Sequence, residues 1–191
     1  MAEEKRERIL DAALNKFEQY GFLKTTVEEI AKRAQVAKGT IYSYFPSKEE
    51  LLLALVDREL RKGYIQVGNA IYKEEDPMEQ IRQLFRGAFE YFKNNKLISS
   101  VMAMDQGLAL SLITDKNREL QGMTITTLAS ILEQGRNEGK LREVEDEKVA
   151  YIMDSLLRSF HYLYYLGLSL HETSDILDSL MDLLSYGLAA E

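Results

Sequence analysis

Residues 36–51 read Val36-Ala37-Lys38-Gly39-Thr40-Ile41-Tyr42-Ser43-Tyr44-Phe45-Pro46-Ser47-Lys48-Glu49-Glu50-Leu51, and this stretch decides the fold. Pro46 pushes the residue before it out of helical backbone, so a short helix over about Lys38–Tyr44 ends there. Ser47, with Glu50 three residues on, forms a capping box. It opens a long helix through Leu51, Leu52, Leu55, Leu60 and Tyr64 to about Tyr72. Working backwards, Thr25 and Thr26 each have a glutamate three residues on. They mark the start of a short helix over Val27–Ala34 with Ile30, Ala31 and Ala34 inward. Ahead of these, Ile9, Ala12, Ala13, Phe17 and Tyr20 make one apolar stripe over about Lys5–Tyr20, with Leu14 at its flank and Gly21 as the stop. Two short helices at a tight turn, ahead of a capped long helix, describe a helix-turn-helix whose second member enters the major groove.

The side chains of that second helix suit the role. Lys38 and Lys48 flank it and are placed to reach phosphates on either side of a groove. Gly39 and Thr40 are small enough for the helix start to approach DNA closely. Tyr42, Ser43 and Tyr44 offer hydroxyls and ring faces, while Ile41 and Phe45, four apart, anchor the helix to its domain. The alternative for Tyr42 and Tyr44 is simple packing.

Beyond the long helix, Asp76-Pro77-Met78-Glu79 is another start signal: an aspartate cap, proline at the first position and glutamate at the third. The helix behind it carries Ile81, Leu84, Phe85, Ala88, Phe89 and Phe92 and fades near Asn94-Asn95. An apolar helix over about Leu97–Ile113 and another over about Lys116–Asn137 are expected next, then a loop at Gly135–Lys140. Helices over about Asp146–Leu168 and His171–Ala189 follow. The expected fold is all-α, with nine helices, no strand and no repeat. A three-helix helix-turn-helix domain is expected over residues 1–47, ahead of a larger helical body over residues 48–191.

Composition narrows the function. The 191 residues include no cysteine and two histidines, which excludes a disulfide scaffold, thiolate metal sites and a multi-histidine centre. His171 and Asp175 sit four apart, but two ligands without a third are weak evidence for a metal. No phosphate-cradling glycine loop, nucleophile elbow or zinc motif appears, so neither an enzyme nor a bound cofactor is expected. Neither a signal peptide nor a membrane span is legible, and the expectation is a soluble cytoplasmic protein. The net charge of −7 points away from nucleic acid, yet its distribution does not. Residues 1–62 hold 12 basic and 11 acidic side chains, and the remaining 129 hold 12 and 20. Within Lys24–Lys48 there are five basic and two acidic residues, a basic island on an acidic body.

Ile9-Leu10-Asp11-Ala12-Ala13, Phe17, Gly21 and Thr25-Thr26-Val27-Glu28-Glu29-Ile30-Ala31, together with the stretch from Val36 to Leu51, resemble the amino-terminal domain of TetR-family transcriptional regulators. The resemblance covers about the first quarter of the chain without a gap. It implies a homodimer whose small heads bind a palindromic operator, and a carboxy-terminal domain that dimerises through its last two helices around a pocket for a small inducer. The family's DNA contacts map onto Thr26, Lys38, Gly39, Thr40, Tyr42, Ser43, Tyr44 and Lys48. Two positions depart: the family often has serine where Ala37 stands and an aromatic residue where Ser43 stands. Ala37 offers only its backbone. The expected protein is a ligand-responsive regulator, a repressor released by a small hydrophobic or amphipathic effector. The rival is a helical interaction or assembly protein without DNA binding.

For the effector, the apolar sixth helix offers Met102 and Met104 as adaptable wall residues, with Asp105 as its lone acid. The eighth helix divides into an apolar face (Val149, Ile152, Met153, Leu156, Phe160, Leu163) and a face carrying Tyr151, Asp154, Arg158, His161, Tyr162 and Tyr165. Arg158, His161 and Tyr162 can point together, and a planar guanidinium suits the anionic end of an amphipathic ligand such as a fatty acid or acyl thioester. The competing reading is an internal pair with Asp154, one turn earlier. In the last helix, Leu177, Leu180, Met181, Leu184 and Leu188 form a stripe suited to a four-helix seam between subunits, or to packing within one subunit.

Overall fold

Thr25 shows how the amino-terminal third is assembled. Its buried hydroxyl donates to the carbonyls of Gly21 (2.8 Å) and Lys16 (3.1 Å), closing the turn between α1 (Ala2–Tyr20) and α2 (Val27–Ala34). At the next residue the capping box forms as expected: Thr26 Oγ1 accepts from the Glu29 amide (3.3 Å), and the Thr26 amide donates to Glu29 Oε2 (2.8 Å). Gln35 ends α2 in left-handed backbone (φ 54°, ψ 47°), the sharp turn that sends the chain into α3 (Lys38–Tyr44). Ser47 Oγ then caps α4 (Lys48–Ile71) by accepting from the Glu50 amide at 3.1 Å.

In this computed structural model, residues 2–103, 108–165 and 170–188 are described, with side chains described except at 100–103, 108–117, 161–165 and 170–174. The remaining helices are α5 (Pro77–Asn94), α6 (Lys96–Ala103), α7 (Leu108–Asn137), α8 (Asp146–Tyr165) and α9 (Leu170–Leu188). Among the described residues the fold is therefore all-helical, with the nine helices expected.

Two apolar cores organise them. The first gathers Ile9, Leu10, Ala13 and Phe17 of α1, Ile30 of α2 and Ile41 of α3 around the start of α4 (Leu51, Leu52, Leu55, Val56), and it includes Phe92, Leu97 and Ile98 from α5 and α6. Helices as short as α2 and α3, at 8 and 7 residues, are below the ~12–15 residues that persist alone in water, so this packing is what keeps them helical. The second core joins α5, α7, α8 and α9 through Phe85, Leu128, Leu132, Met153 and Met181, and takes Ile71 from the far end of α4. Thus α4 belongs to both cores and runs between them as a rigid strut.

One boundary differs from expectation: the helix expected to start near Lys116 already includes Leu108, Leu110 and Leu112 of the apolar run, as the opening of α7. Thr114-Asp115-Lys116-Asn117 is polar but carries neither glycine nor proline, so nothing in the backbone stops α7 there. At its other end α7 stops at Asn137, as expected, and so takes in Gly135 from the start of the Gly135–Lys140 stretch. A Cβ at Gly135 would lie 2.6 Å from Leu141 and 2.8 Å from Pro77, so glycine serves close packing there.

Candidate DNA-reading surface and internal cavity

The outer face of α3 is open. Gly39 is exposed with nothing within 4 Å of where a Cβ would stand, and Tyr42 is 44% exposed. Thr40 is half-buried, and Ser43 is exposed with its hydroxyl donating to the Thr40 carbonyl at 2.7 Å. Tyr44 is half-buried against the first core, its ring centroid 6.4 Å from that of Phe45, so packing is part of its role. Ile41, 1% exposed, is the anchor. Ala37 caps α3 with no side-chain hydrogen bond, as its methyl dictates. Thr26 is exposed at the start of α2, though its hydroxyl is engaged in the capping box.

The two flanking lysines are less free than their sequence positions suggest. Lys38 is ion-paired with Glu28 of α2, and their hydrogen bond holds the ammonium above and the carboxyl below their usual ranges. Both are exposed, so a phosphate competes with Glu28 for Lys38. Lys48 is half-buried: its ammonium donates to the carbonyls of Phe22 (2.9 Å) and Thr25 (3.0 Å) and sits 4.3 Å from the centroid of the Phe22 ring. Two of its three donors brace the α1–α2 turn, a role without a sequence signature because both acceptors are backbone oxygens more than twenty residues away.

The body holds a cavity of about 160 Å³ between α4, α5, α6, α7 and α8. Val67, Ile71, Leu84, Ala88, Leu120 and Leu157 supply apolar wall. Polar groups come from Tyr64, Tyr91, Thr124, Thr127, Asp154 and Arg158, with the Tyr64 and Thr127 hydroxyls 3.1 Å apart. Leu60, Phe92 and Ile98 also line it, and all three pack in the first core. Asp154 is 1% exposed and accepts from Arg158 Nε (2.8 Å) and Gln121 Nε2 (3.0 Å). The internal pair is therefore formed, and it lies in the cavity wall instead of on a solvated face.

This corrects the division of α8. Its inward residues are Ala150, Met153, Asp154, Leu157 and Phe160, whereas Ile152, expected inside, is 58% exposed. In α9 the stripe expected at a subunit seam turns towards its own chain: Leu177, Met181 and Leu188 are buried in the second core, and Leu180 and Leu184 are half-buried against it. Among the described side chains, the large apolar ones left outward on α8 and α9 are instead Ile152, Ile176, Leu183 and Tyr186, besides Tyr151. Met102, Asp105, His161, Tyr162 and Tyr165, expected at the pocket, fall outside the described side chains, as do Met104 and His171. Among the described residues no group of three metal-ligating side chains occurs, and no helix is long and apolar enough to cross a membrane.

Residues 9–55, the span of α1–α3 and the start of α4, match the family model described as bacterial regulatory proteins, tetR family. The HTH-type transcriptional repressor KstR2 of Mycobacterium tuberculosis is 30% identical over 158 residues, covering 77% of this chain and 74% of its own. The chain belongs to the TetR family. The HTH-type transcriptional regulator YhgD of Bacillus subtilis is 24% identical to this TetR-family chain over 153 residues, with 80% of each covered. The TetR fold extends through the whole chain. The transcriptional regulator FadR of Bacillus subtilis, solved in complex with stearoyl-CoA, superposes with a TM-score of 0.76 at 22% identity, over 95% of this chain and 98% of that one. As a TetR-family member the protein is a DNA-binding transcriptional regulator and not an enzyme.

Proposed function

We propose that this TetR-family regulator is a cytoplasmic repressor. It binds a palindromic operator as a homodimer and leaves it when a small, mainly apolar effector enters the cavity. A reading head (residues 1–47) is carried on an effector-binding and dimerising body (residues 48–191). The lining of the cavity carries this reading: it includes Leu60, Phe92 and Ile98, which belong to the head's own core, so whatever enters touches that core. KstR2, a repressor by name, supports the sign of regulation, and the stearoyl-CoA held by FadR supports an apolar effector.

On the DNA side, Gly39, Thr40, Tyr42 and Ser43 meet base edges and the adjoining backbone. Thr26, Lys38, Tyr44 and the third N–H of Lys48 meet phosphate. Binding selection on randomised duplexes tests this and is expected to enrich a two-fold symmetric site. A pool without such a site overturns the reading. Glu28→Gln is expected to strengthen binding to specific and random duplexes alike, about two- to fivefold, and to steepen the log–log salt slope by about one, because Lys38 is released for a phosphate. Filter binding across a salt series reads both effects.

On the effector side, the charge of Arg158 is already met by Asp154, which argues against an anion as the anchor. An alkanol is therefore expected to bind as well as the matching carboxylate. At about a hundred times its Kd a ligand stabilises by roughly 2.7 kcal/mol, which for a chain of this size raises Tm by about 5–10 °C. Dodecanol and dodecanoate are to be compared by thermal shift on wild type and Arg158→Gln. A larger shift from dodecanoate, lost in Arg158→Gln, would restore the anionic anchor; no shift from either would remove the apolar effector.

A further inference from the structure

From this geometry we infer that Tyr91 is a positioning residue that couples the cavity to the DNA-reading head through a bridge running Tyr91–Glu59–Arg58 to Glu7 and Asp11. The inference rests on the effector reading above and adds the route by which occupancy reaches α1.

Tyr91 stands on α5 in the cavity wall, with its ring laid on Gly63 of α4. Its hydroxyl donates to the Glu59 backbone carbonyl and accepts from Asn95 Nδ2 at 3.2 Å. Burial pushes the phenol above its usual range, so the donated proton stays in place. Asn95, the C-cap of α5, also receives the Ile98 amide at 3.0 Å and so fixes the first turn of α6. Glu59 is a buried carboxylate, and such a group needs partners. It has them in Arg58 Nε (3.0 Å) and Lys62 Nζ (2.9 Å). The same Arg58 reaches α1 through Nη1, at 2.9 Å from Glu7 Oε2 and 2.7 Å from Asp11 Oδ1. Asn95 Nδ2 also donates to Glu59 Oε2 at 3.4 Å, so a run of hydrogen bonds from the Tyr91 hydroxyl through Asn95, the Glu59 carboxylate and Arg58 joins a cavity-wall ring to the first helix of the head.

The cavity is tight. Its 160 Å³ is below the ~300 Å³ at which drug-sized ligands begin, so the part of a longer molecule that enters presses on the wall side chains. Tyr91 has no slack on its α4 side, where a single added Cβ at Gly63 would lie 2.5 Å from ring carbon Cε1. A ring pushed by an effector therefore moves at the cost of its bonds to Glu59 and Asn95. The Arg58 clamp on α1 loosens with them. In linkage terms, the effector is favoured in the state with the bridge open and the operator in the state with it closed.

Hydrogen exchange on the full-length protein tests this without DNA or effector. Tyr91→Phe keeps the ring and removes both bonds. Gly63→Ala shifts the ring from the opposite side, although alanine in a helix ordinarily stabilises. In both variants the amides of residues 7–13 and 98–99 are expected to exchange about five- to tenfold faster, with those of residues 177–188 unchanged. Adding Tyr91→Phe to Arg58→Gln is expected to accelerate α1 little further, because both act on one route. Wild-type exchange in α1 of either Tyr91→Phe or Gly63→Ala, equal acceleration in α9, or multiplying effects in the double variant would each overturn the bridge. A failure of dodecanol to bind would instead count against the effector reading and leave the exchange result decisive for the bridge.

Discussion

Ile152→Glu together with Leu183→Glu is expected to yield a folded monomer that no longer holds its operator. These side chains are 58% and 69% exposed in the single chain, and Tyr186, three residues past Leu183 on α9, is 91% exposed, so glutamate there meets water until a second subunit arrives. In the two-fold dimer proposed above each substitution appears twice. A buried charge without a partner costs about 3–5 kcal/mol, so four of them exceed the roughly 8 kcal/mol that holds a micromolar dimer. A lone head forfeits the effective concentration supplied by its partner, and operator affinity is expected to fall at least about a hundredfold. Sedimentation and filter binding read the two effects, and an unchanged urea midpoint shows that the fold is intact. Leu180→Glu and Leu184→Glu make the contrast, since both pack on the chain's own core and should lower the urea midpoint first. A double variant that still sediments as a dimer, or a wild type that is monomeric at micromolar concentration, would refute this seam.

The second large effect is expected from a residue that touches no DNA. Ile41→Ala removes the single buried side chain of a seven-residue helix and should cost about 2–4 kcal/mol of head stability. Because α3 has no helical persistence of its own, the loss appears as a melted reading surface and abolished operator binding, while the second core stays folded. Tyr42→Ala, one position on and 44% exposed, should leave the urea midpoint within about 0.5 kcal/mol of wild type and change base preference instead. Equal loss of stability in both variants would mean that Tyr42 is a packing residue.

What could be read before the fold was known is what local chemistry encodes. Thr26, Ser47 and Asp76 cap their helices as their partners three residues on require, and each forms the hydrogen bond that the spacing implies. Ile41 and Phe45 are both buried, four apart. Asp154 was legible only in part. Its spacing to Arg158 gave the pair, but its burial depends on Gln121 of α7, thirty-three residues away. Ile152 reads as core from its neighbours at helical spacing, and only the packing of α7 on α8 reveals which arc of that helix faces inward. Lys48 reads as a phosphate ligand because its acceptors are carbonyls of a turn remote in sequence. The cavity had no local signature at all, since residues of five helices meet to make it.

The double duty of Leu60, Phe92 and Ile98 bears on how such a regulator can be given a new signal. Those three side chains are constrained twice, because any change that reshapes the cavity there also disturbs the reading head. Leu120, Thr124 and Leu157 line the same space from α7 and α8 and have no part in the first core. Selection for a different inducer, in nature or in a library, should therefore accumulate its substitutions on the α7–α8 wall. The wall nearest the DNA stays fixed, so the chemical sense of the molecule can drift while its switching is inherited intact.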